Sequence, residues 1–264
     1  MTLPPSSVQS RPWPHYLDLV VALTTKEIKA RYKRTYLGYV WSLLNPLVYA
    51  VTYWIAFKAI LNVQIEGYFA FLMAGLFPWQ WLSNSLTSAP FAFIANAPLI
   101  KKIAFPRYLV VASSVATEGV HFLLCLPLLA LLAVLSGRGT VSLDWVWGAP
   151  LLVLIQGVAI YGFALAVASL NVFFRDLERL LGLAMTVLFY ITPVIYEPKM
   201  VPPVLQPLIA FNPFTYIIVA WRDILLNGTM NWRAAGMAAL IALVAAVIGQ
   251  LVFRRLQWKF AEAL

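Results

Sequence analysis

The sequence predicts an all-α polytopic membrane protein: about six transmembrane helices, an N-terminal amphipathic interfacial helix, and re-entrant outer-leaflet helices between spans five and six. Three observations predict it. Of 264 residues, 62% are hydrophobic and 11% charged, against roughly 45–50% and 25% in soluble domains. Apolar runs recur from Leu37 to Leu264, many of them close to the ~20 residues a helix needs to cross ~30 Å of hydrocarbon. Basic residues gather between these runs. The net charge of +9 would suggest nucleic acid in a soluble protein. Here it orients the chain among membrane lipids, and no nucleic-acid partner is expected.

The elements follow in order. Met1 to Tyr16 holds four prolines and no apolar core of the ~7–15 residues a signal peptide needs, so no cleavable leader is expected there. From Leu17 to Tyr32, the residues Leu17, Val21, Thr24 and Ile28 recur at helical spacing while Lys26, Lys29 and Lys33 fall opposite. That pattern suits a helix lying on a membrane surface. Leu19 and Leu23 break it, and a solvated basic helix is the alternative.

Spans are expected at Leu37 to Leu61, Tyr68 to Ile94, Tyr108 to Leu135, Trp147 to Asn171, Leu180 to Tyr196 and Ala234 to Phe253. Fourteen of the nineteen Lys and Arg residues then fall on one side: six before the first span, three in 101–107, two in 175–179 and three in 254–259. The positive-inside rule makes that side cytoplasmic, so both termini are cytoplasmic and the span count is even. Glu197 to Trp232 is apolar in places but broken by Pro198, Pro202, Pro203, Pro207 and Pro213. A seventh span there would send Arg254, Arg255 and Lys259 outward, so short re-entrant helices are expected, buried in protein or lining a cavity. The whole chain, 1–264, reads as one transmembrane domain: 1–36 cytoplasmic and interfacial, 37–253 the six-span bundle, 254–264 a cytoplasmic tail.

Chemistry-bearing patterns are few. A phosphate-binding loop needs a glycine-rich turn ending in Gly-Lys-Ser/Thr, which is lacking; Gly137, Arg138 and Gly139 read as an external turn. Cys125 is the only cysteine and reads as packing. With only His15 and His121 as histidines, no metal site and no catalytic residue is assigned. Glu118 and His121 share a face of the third span three residues apart. A charge near mid-membrane costs roughly 2.5–3.5 kcal/mol on insertion scales, so the pair reads either as a helix-positioning hydrogen bond or as a proton relay.

Tyr39, Ser42, Pro46, Tyr49, Tyr53 and Phe57 form a stripe of rings and hydroxyls on the first span, and Met185, Phe189, Thr192 and Tyr196 a second on the fifth. Facing stripes of this kind suit a sliding glycan, whose C–H faces stack on rings and whose hydroxyls pair with Tyr and Thr; ordinary helix packing explains them as well. Pro98 to Arg107 sets Leu99, Ile100 and Ile103 beside Lys101 and Lys102 between prolines. It reads as a segment that docks into a partner's groove, or as a loop whose charges only set topology. Arg175, Asp176, Glu178 and Arg179 form a second such corner.

Arg31 to Pro46, RYKRTYLGYVWSLLNP, resembles the opening of membrane subunits of ATP-binding-cassette polysaccharide exporters, the family of the O-antigen and teichoic acid permeases. Further similar strings follow in order: Gly75 to Trp79 (GLFPW), Asn96 to Arg107 (NAPLIKKIAFPR), Phe174 to Asp176 (FRD), Thr192 to Tyr196 (TPVIY), and Asn212 and Pro213 before Arg222. The likeness covers nearly the whole chain. It implies a multi-pass protein of the bacterial inner (cytoplasmic) membrane, a homodimer with two ATPase subunits, and export of a lipid-linked polysaccharide, O-antigen before teichoic acid or capsule. No cofactor is expected in this chain; ATP and Mg would be bound by the partner. The resemblance makes Asn96 to Arg107 the ATPase-coupling helix, with Asn96, Leu99, Ile100, Lys101, Lys102, Phe105 and Arg107 as contacts. Leu17 to Arg34 becomes the interfacial helix, with Lys26, Lys29 and Lys33. The first and fifth spans become the glycan path, through Tyr39, Ser42, Tyr49, Tyr53, Phe57, Met185, Phe189, Thr192 and Tyr196, and Pro198 to Leu226 the outer cap. The competing expectation is a proton-coupled transporter working without an ATPase through Glu118 and His121. A transferase built on Asp176 and Glu178 ranks below both.

Overall fold

The computed structural model describes residues 13–33, 36, 38, 40–102, 105–137 and 142–263. Over these residues it is all-α, with no strand. Helix α1 spans Trp13–Tyr32, α2 Val40–Trp54, α3 Tyr68–Ser88, α4 Ala92–Ala95, α5 Ala97–Lys102, α6 Tyr108–Leu135, α7 Asp144–Asn171, α8 Leu177–Ile191, α9 Gln206–Phe211, α10 Pro213–Arg222, α11 Trp232–Leu256 and α12 Phe260–Ala263. Each of the six expected spans holds a helix: α2, α3, α6, α7, α8 and α11. Among the described residues, the helical stretches Leu43–Ile60, Tyr108–Leu135, Asp144–Asn171 and Trp232–Lys259 are by themselves long and apolar enough to cross a membrane.

Two spans differ from expectation for local reasons. The fifth was expected to run to Tyr196, but α8 ends at Ile191 and Thr192 turns extended, with φ −75° and ψ 135°. Pro193 follows, and its ring disfavours helical backbone in the residue before it. At ~1.5 Å per residue, α8 is about 22 Å long, less than the ~30 Å hydrocarbon core. In the second, α3 ends at Ser88, and a 3₁₀ turn at Ala89–Phe91 around Pro90 leads into α4. Between Glu197 and Trp232, Pro203–Phe211 and Pro213–Asn227 meet at 94°. Asn212 forms the corner and caps α10, its side chain accepting from the Phe214 amide at 3.0 Å.

Small residues set the closest helix crossing. Ala238, Ala242, Ala245 and Gly249 lie buried along α11 at steps of three or four and pack on α7. A Cβ on Gly162 of α7 would run into the Ala245 backbone, and one on Gly249 into the Gly162 carbonyl. Backbones approach this closely only where side chains are absent, the usual route to tight packing between helices in lipid.

Candidate functional site

The face expected along α2 and α8 is partly assembled. Tyr49 and Tyr53 of α2 and Met185 and Phe189 of α8 line one cavity of about 360 Å³. The Tyr53 and Phe189 ring centroids lie 5.4 Å apart, and Trp79 of α3 stands 5.7 Å from Phe189. Phe57 packs on Tyr53 at 6.3 Å, outside the lining. Tyr39 and the side chain of Ser42 lie outside the described residues. Thr192 and Tyr196 sit away from the cavity in the turn after α8. Thr192 is buried and donates to the Leu188 carbonyl at 2.6 Å; the Tyr196 hydroxyl donates to the Ile191 carbonyl at 2.8 Å.

The third wall went unnoticed in the sequence. Gln80, Ser83, Asn84 and Thr87 of α3 line the same cavity. They stand at i, i+3, i+4 and i+7, so one helix face carries them all. That spacing of polar residues within an otherwise apolar segment was the available signal.

Scattered family-like strings converge on Arg222. Its guanidinium is buried against backbone carbonyls: Nη1 donates to Pro193 at 2.5 Å and Tyr196 at 3.3 Å, Nη2 to Val194, and Nε to Phe71 at 3.4 Å. Its carbon lies 3.6 Å over the Phe71 ring. Gly75 makes room, since a Cβ there would come within 2.7 Å of the Arg222 Nη2. Asn212 donates to the Thr192 hydroxyl at 2.8 Å. GLFPW, TPVIY, Asn212 and Arg222 thus form one knot joining α3, the end of α8 and α10. A buried cation is tolerated here because carbonyl dipoles and an aromatic face replace its water.

Helix α1 docks on α6 through polar groups. Leu17 and Val21 are 65% and 63% exposed, while Leu23 and Thr24 are buried. The Thr24 hydroxyl donates to the Ser113 carbonyl at 3.4 Å and the Thr117 hydroxyl to Glu27 at 3.0 Å. Arg31 reaches Glu118 at 2.5 Å and lies 3.2 Å from His121 Nδ1; the Tyr32 hydroxyl lies 3.1 Å from His121 Nε2. Glu118 is therefore charge-paired across two helices rather than alone in the membrane. Burial holds the Glu27 carboxyl above the usual carboxylate range, outweighing the Thr117 hydrogen bond and the Arg31 charge. Lys26, Lys29 and Lys33 are exposed.

In the expected coupling segment, the Asn96 side chain donates to the Ala92 carbonyl at 3.0 Å. Its own carbonyl accepts from the Leu99 and Ile100 amides, which turns the chain into α5. Ile100 is buried, Leu99 is half-buried, and Lys101 and Lys102 are exposed. Ile103 lies outside the described residues; Phe105 packs on the core. Arg107 donates to the Gln257 carbonyl at 2.7 Å, tying this segment to the end of α11. No group of three or more His, Cys, Asp or Glu able to hold a metal ion occurs among the described residues.

Residues 18–226 match the family model described as ABC-2 type transporter. The chain is 42% identical over 250 residues to the O-antigen export system permease protein RfbA of Klebsiella pneumoniae, covering 95% of this chain and 96% of that one. A second Klebsiella pneumoniae protein of the same name is 39% identical over the same shares. The Myxococcus xanthus protein of that name is 28% identical, over 94% of this chain and 96% of its own.

Proposed function

Since the chain belongs to the ABC-2 type transporter membrane family, we propose that it is the membrane subunit of an ATP-driven exporter that carries lipid-linked O-antigen across the bacterial inner membrane. Its role is transport rather than catalysis. Two copies pair, and two separate ATPase subunits bind ATP and Mg on the cytoplasmic side. The single transmembrane domain crosses six times with both termini cytoplasmic, and the bent pair α9 and α10 re-enters from outside as a cap.

One observation carries this reading within the chain: the rings of Tyr49, Tyr53, Trp79 and Phe189 meet polar groups across a single cavity. Stacking rings beside the hydroxyls of Ser83 and Thr87 give a glycan many weak, equivalent contacts, which favours sliding over capture. Tyr39, Ser42, Phe57, Thr192 and Tyr196 belong to the proposed path only as an expectation of the sequence, since none of them lines this cavity among the described side chains. Lys101, Lys102, Leu99, Ile100 and Asn96 form the proposed coupling contact, with Phe105 and Arg107 anchoring its exit. A proton relay finds no support, because Glu118 and His121 are engaged with Arg31 and Tyr32 in docking α1.

The test is complementation of a host strain whose own copy is deleted, read by surface O-antigen. The wild-type chain restores it. Tyr49→Ala with Tyr53→Ala cuts the export rate by about tenfold, two stacking contacts being worth ~0.5–1.5 kcal/mol each, while the protein accumulates normally. Normal export would remove both tyrosines from the path, and failure of the wild-type chain to restore surface polymer would sink the exporter reading.

A further inference from the structure

A second cavity, of about 290 Å³, lies between α1, α2, α3 and α6. It shares Gln80 and Asn84 with the aromatic cavity, so the two adjoin along one face of α3. Its chemistry differs from the stripe. The side-chain amides of Asn45, Gln80 and Asn84 line it, and among the described residues none of the three has a hydrogen-bond partner. Arg31 and Glu118 also face it, paired with each other so that their charges cancel. Trp41, 42% exposed, offers a free ring, and Trp81 stacked on Phe122 at 5.1 Å forms an apolar floor.

Unpartnered amides on membrane-spanning helices are costly in contact with lipid. They therefore face water or a polar ligand. Each amide offers both donor and acceptor, which matches the hydroxyls of a sugar ring, and a planar apolar ring matches its C–H face. The cancelled charges favour a neutral polyhydroxyl over a phosphate. The volume stands at the lower edge of the ~300–1,000 Å³ usual for small-ligand pockets, which suits one ring rather than a folded chain.

Resting on the exporter reading, we propose that this cavity is a sugar-ring subsite in which Asn45, Gln80 and Asn84 read the hydroxyl pattern of the glycan. The aromatic cavity beyond it tolerates many sugars; this one discriminates. Selectivity among polymers is thus set on α2 and α3 beside the docked α1, and sliding is served by the rings of α2 and α8.

The experiment is saturation-transfer NMR on the full chain with its ATPase subunits in lipid nanodiscs. The probes are the methyl α-glycosides of glucose, mannose and galactose, the latter two each differing from glucose in the configuration of one hydroxyl. The expected result is transfer to one epimer several-fold stronger than to another. In Asn45→Leu with Asn84→Leu, that preferred glycoside binds about tenfold more weakly, the loss of two hydrogen bonds of ordinary net strength, with unchanged thermal melting. Asn45→Ala, which removes less, gives an intermediate loss and covers the case in which the double variant misfolds. Equal transfer to all three epimers, no transfer to any, or undiminished transfer in the variants overturns the subsite and leaves a water-filled cavity. A chain that restores surface O-antigen yet shows no selectivity overturns this inference alone; a chain that restores none overturns the exporter reading on which it rests.

Discussion

At the scale of single residues, Arg222 and Gly75 show how a backbone cage can hold a cation to which, among the described residues, no carboxylate is bonded. Four carbonyl oxygens, of Phe71, Pro193, Val194 and Tyr196, accept from the Arg222 guanidinium. Three of them belong to the turn that ends α8, so Arg222 fixes that turn against α3 and α10. A methyl group on Gly75 would stand 2.7 Å from the Arg222 Nη2 and 3.0 Å from the Val194 carbonyl oxygen. The other guanidinium nitrogens are bonded to the Phe71, Pro193 and Tyr196 carbonyls, so a shift of the guanidinium strains those bonds. Gly75→Ala is therefore expected to destabilise the fold by ~1–3 kcal/mol, the usual cost of overpacking, read as a lower melting temperature in detergent. An unchanged melting temperature would mean that the cage relaxes at no cost. The sequence marked Arg222 and the glycine string but not their contact, since the partners are main-chain carbonyls, which every residue possesses and no side-chain pattern reveals.

At the scale of elements, the docking of α1 on α6 shows what periodicity reads well and what it misses. The helix itself was legible from its repeat, as were the exposed positions of Lys26, Lys29 and Lys33. Its buried face was not. Leu23, counted as a break in the pattern, is buried, while Leu17 and Val21 stay exposed. The docking face is chosen by hydrogen bonds to residues far along the chain, such as Arg31 to Glu118, 87 positions apart. The second expected span holds helix α3, though it stops at Ser88 rather than running to Ile94, and its polar face passed unread because attention to apolar length hides a ladder such as Gln80, Ser83, Asn84 and Thr87. Glu27 makes the docking pH-dependent. Burial raises its carboxyl pKa in the docked state, so the docked state takes up the proton more readily than the undocked one. Its contribution is fully present below the undocked pKa and is lost as pH rises through the docked one. At neutral pH Glu27 thus weakens docking. Glu27→Gln removes that cost while keeping an oxygen to accept from Thr117. The variant is expected to protect α1 from proteolysis better than the wild type at pH 7, with the gap closing as pH falls through the carboxyl range. A gap that widens in acid would reverse the sign and refute the burial argument.

At the scale of the whole molecule, the division of charge and the small helix α5 bear on how force from a partner enters the bundle. On a chain only 11% charged, with a net charge of +9, most Lys and Arg residues gather between the expected spans, the pattern by which basic residues orient a chain in a membrane. Lys101 and Lys102 are exposed members of this set, and α5 has a second property. Ile100 anchors it in the core, the Asn96 carbonyl starts its turn, and Arg107 fastens its exit to Gln257 at the end of α11. Helix α11 in turn crosses α7 at backbone contact through Gly162 and Gly249. In the coupling role proposed for α5, a push would be passed on through the buried Ile100 and the bond from Arg107 to the end of α11. Charge reversal separates this role from mere topology. Lys101→Glu with Lys102→Glu alters two exposed side chains and leaves Ile100, Asn96 and Arg107 in place, so insertion and melting are expected to hold. Docking of the ATPase subunits is expected to fall by at least about tenfold, equivalent to ~1.4 kcal/mol, with a parallel loss of vanadate-sensitive ATP hydrolysis in protein purified from native membranes. If the charges served orientation alone, the correctly inserted fraction would retain its full complement of ATPase, and the coupling role of α5 would be lost.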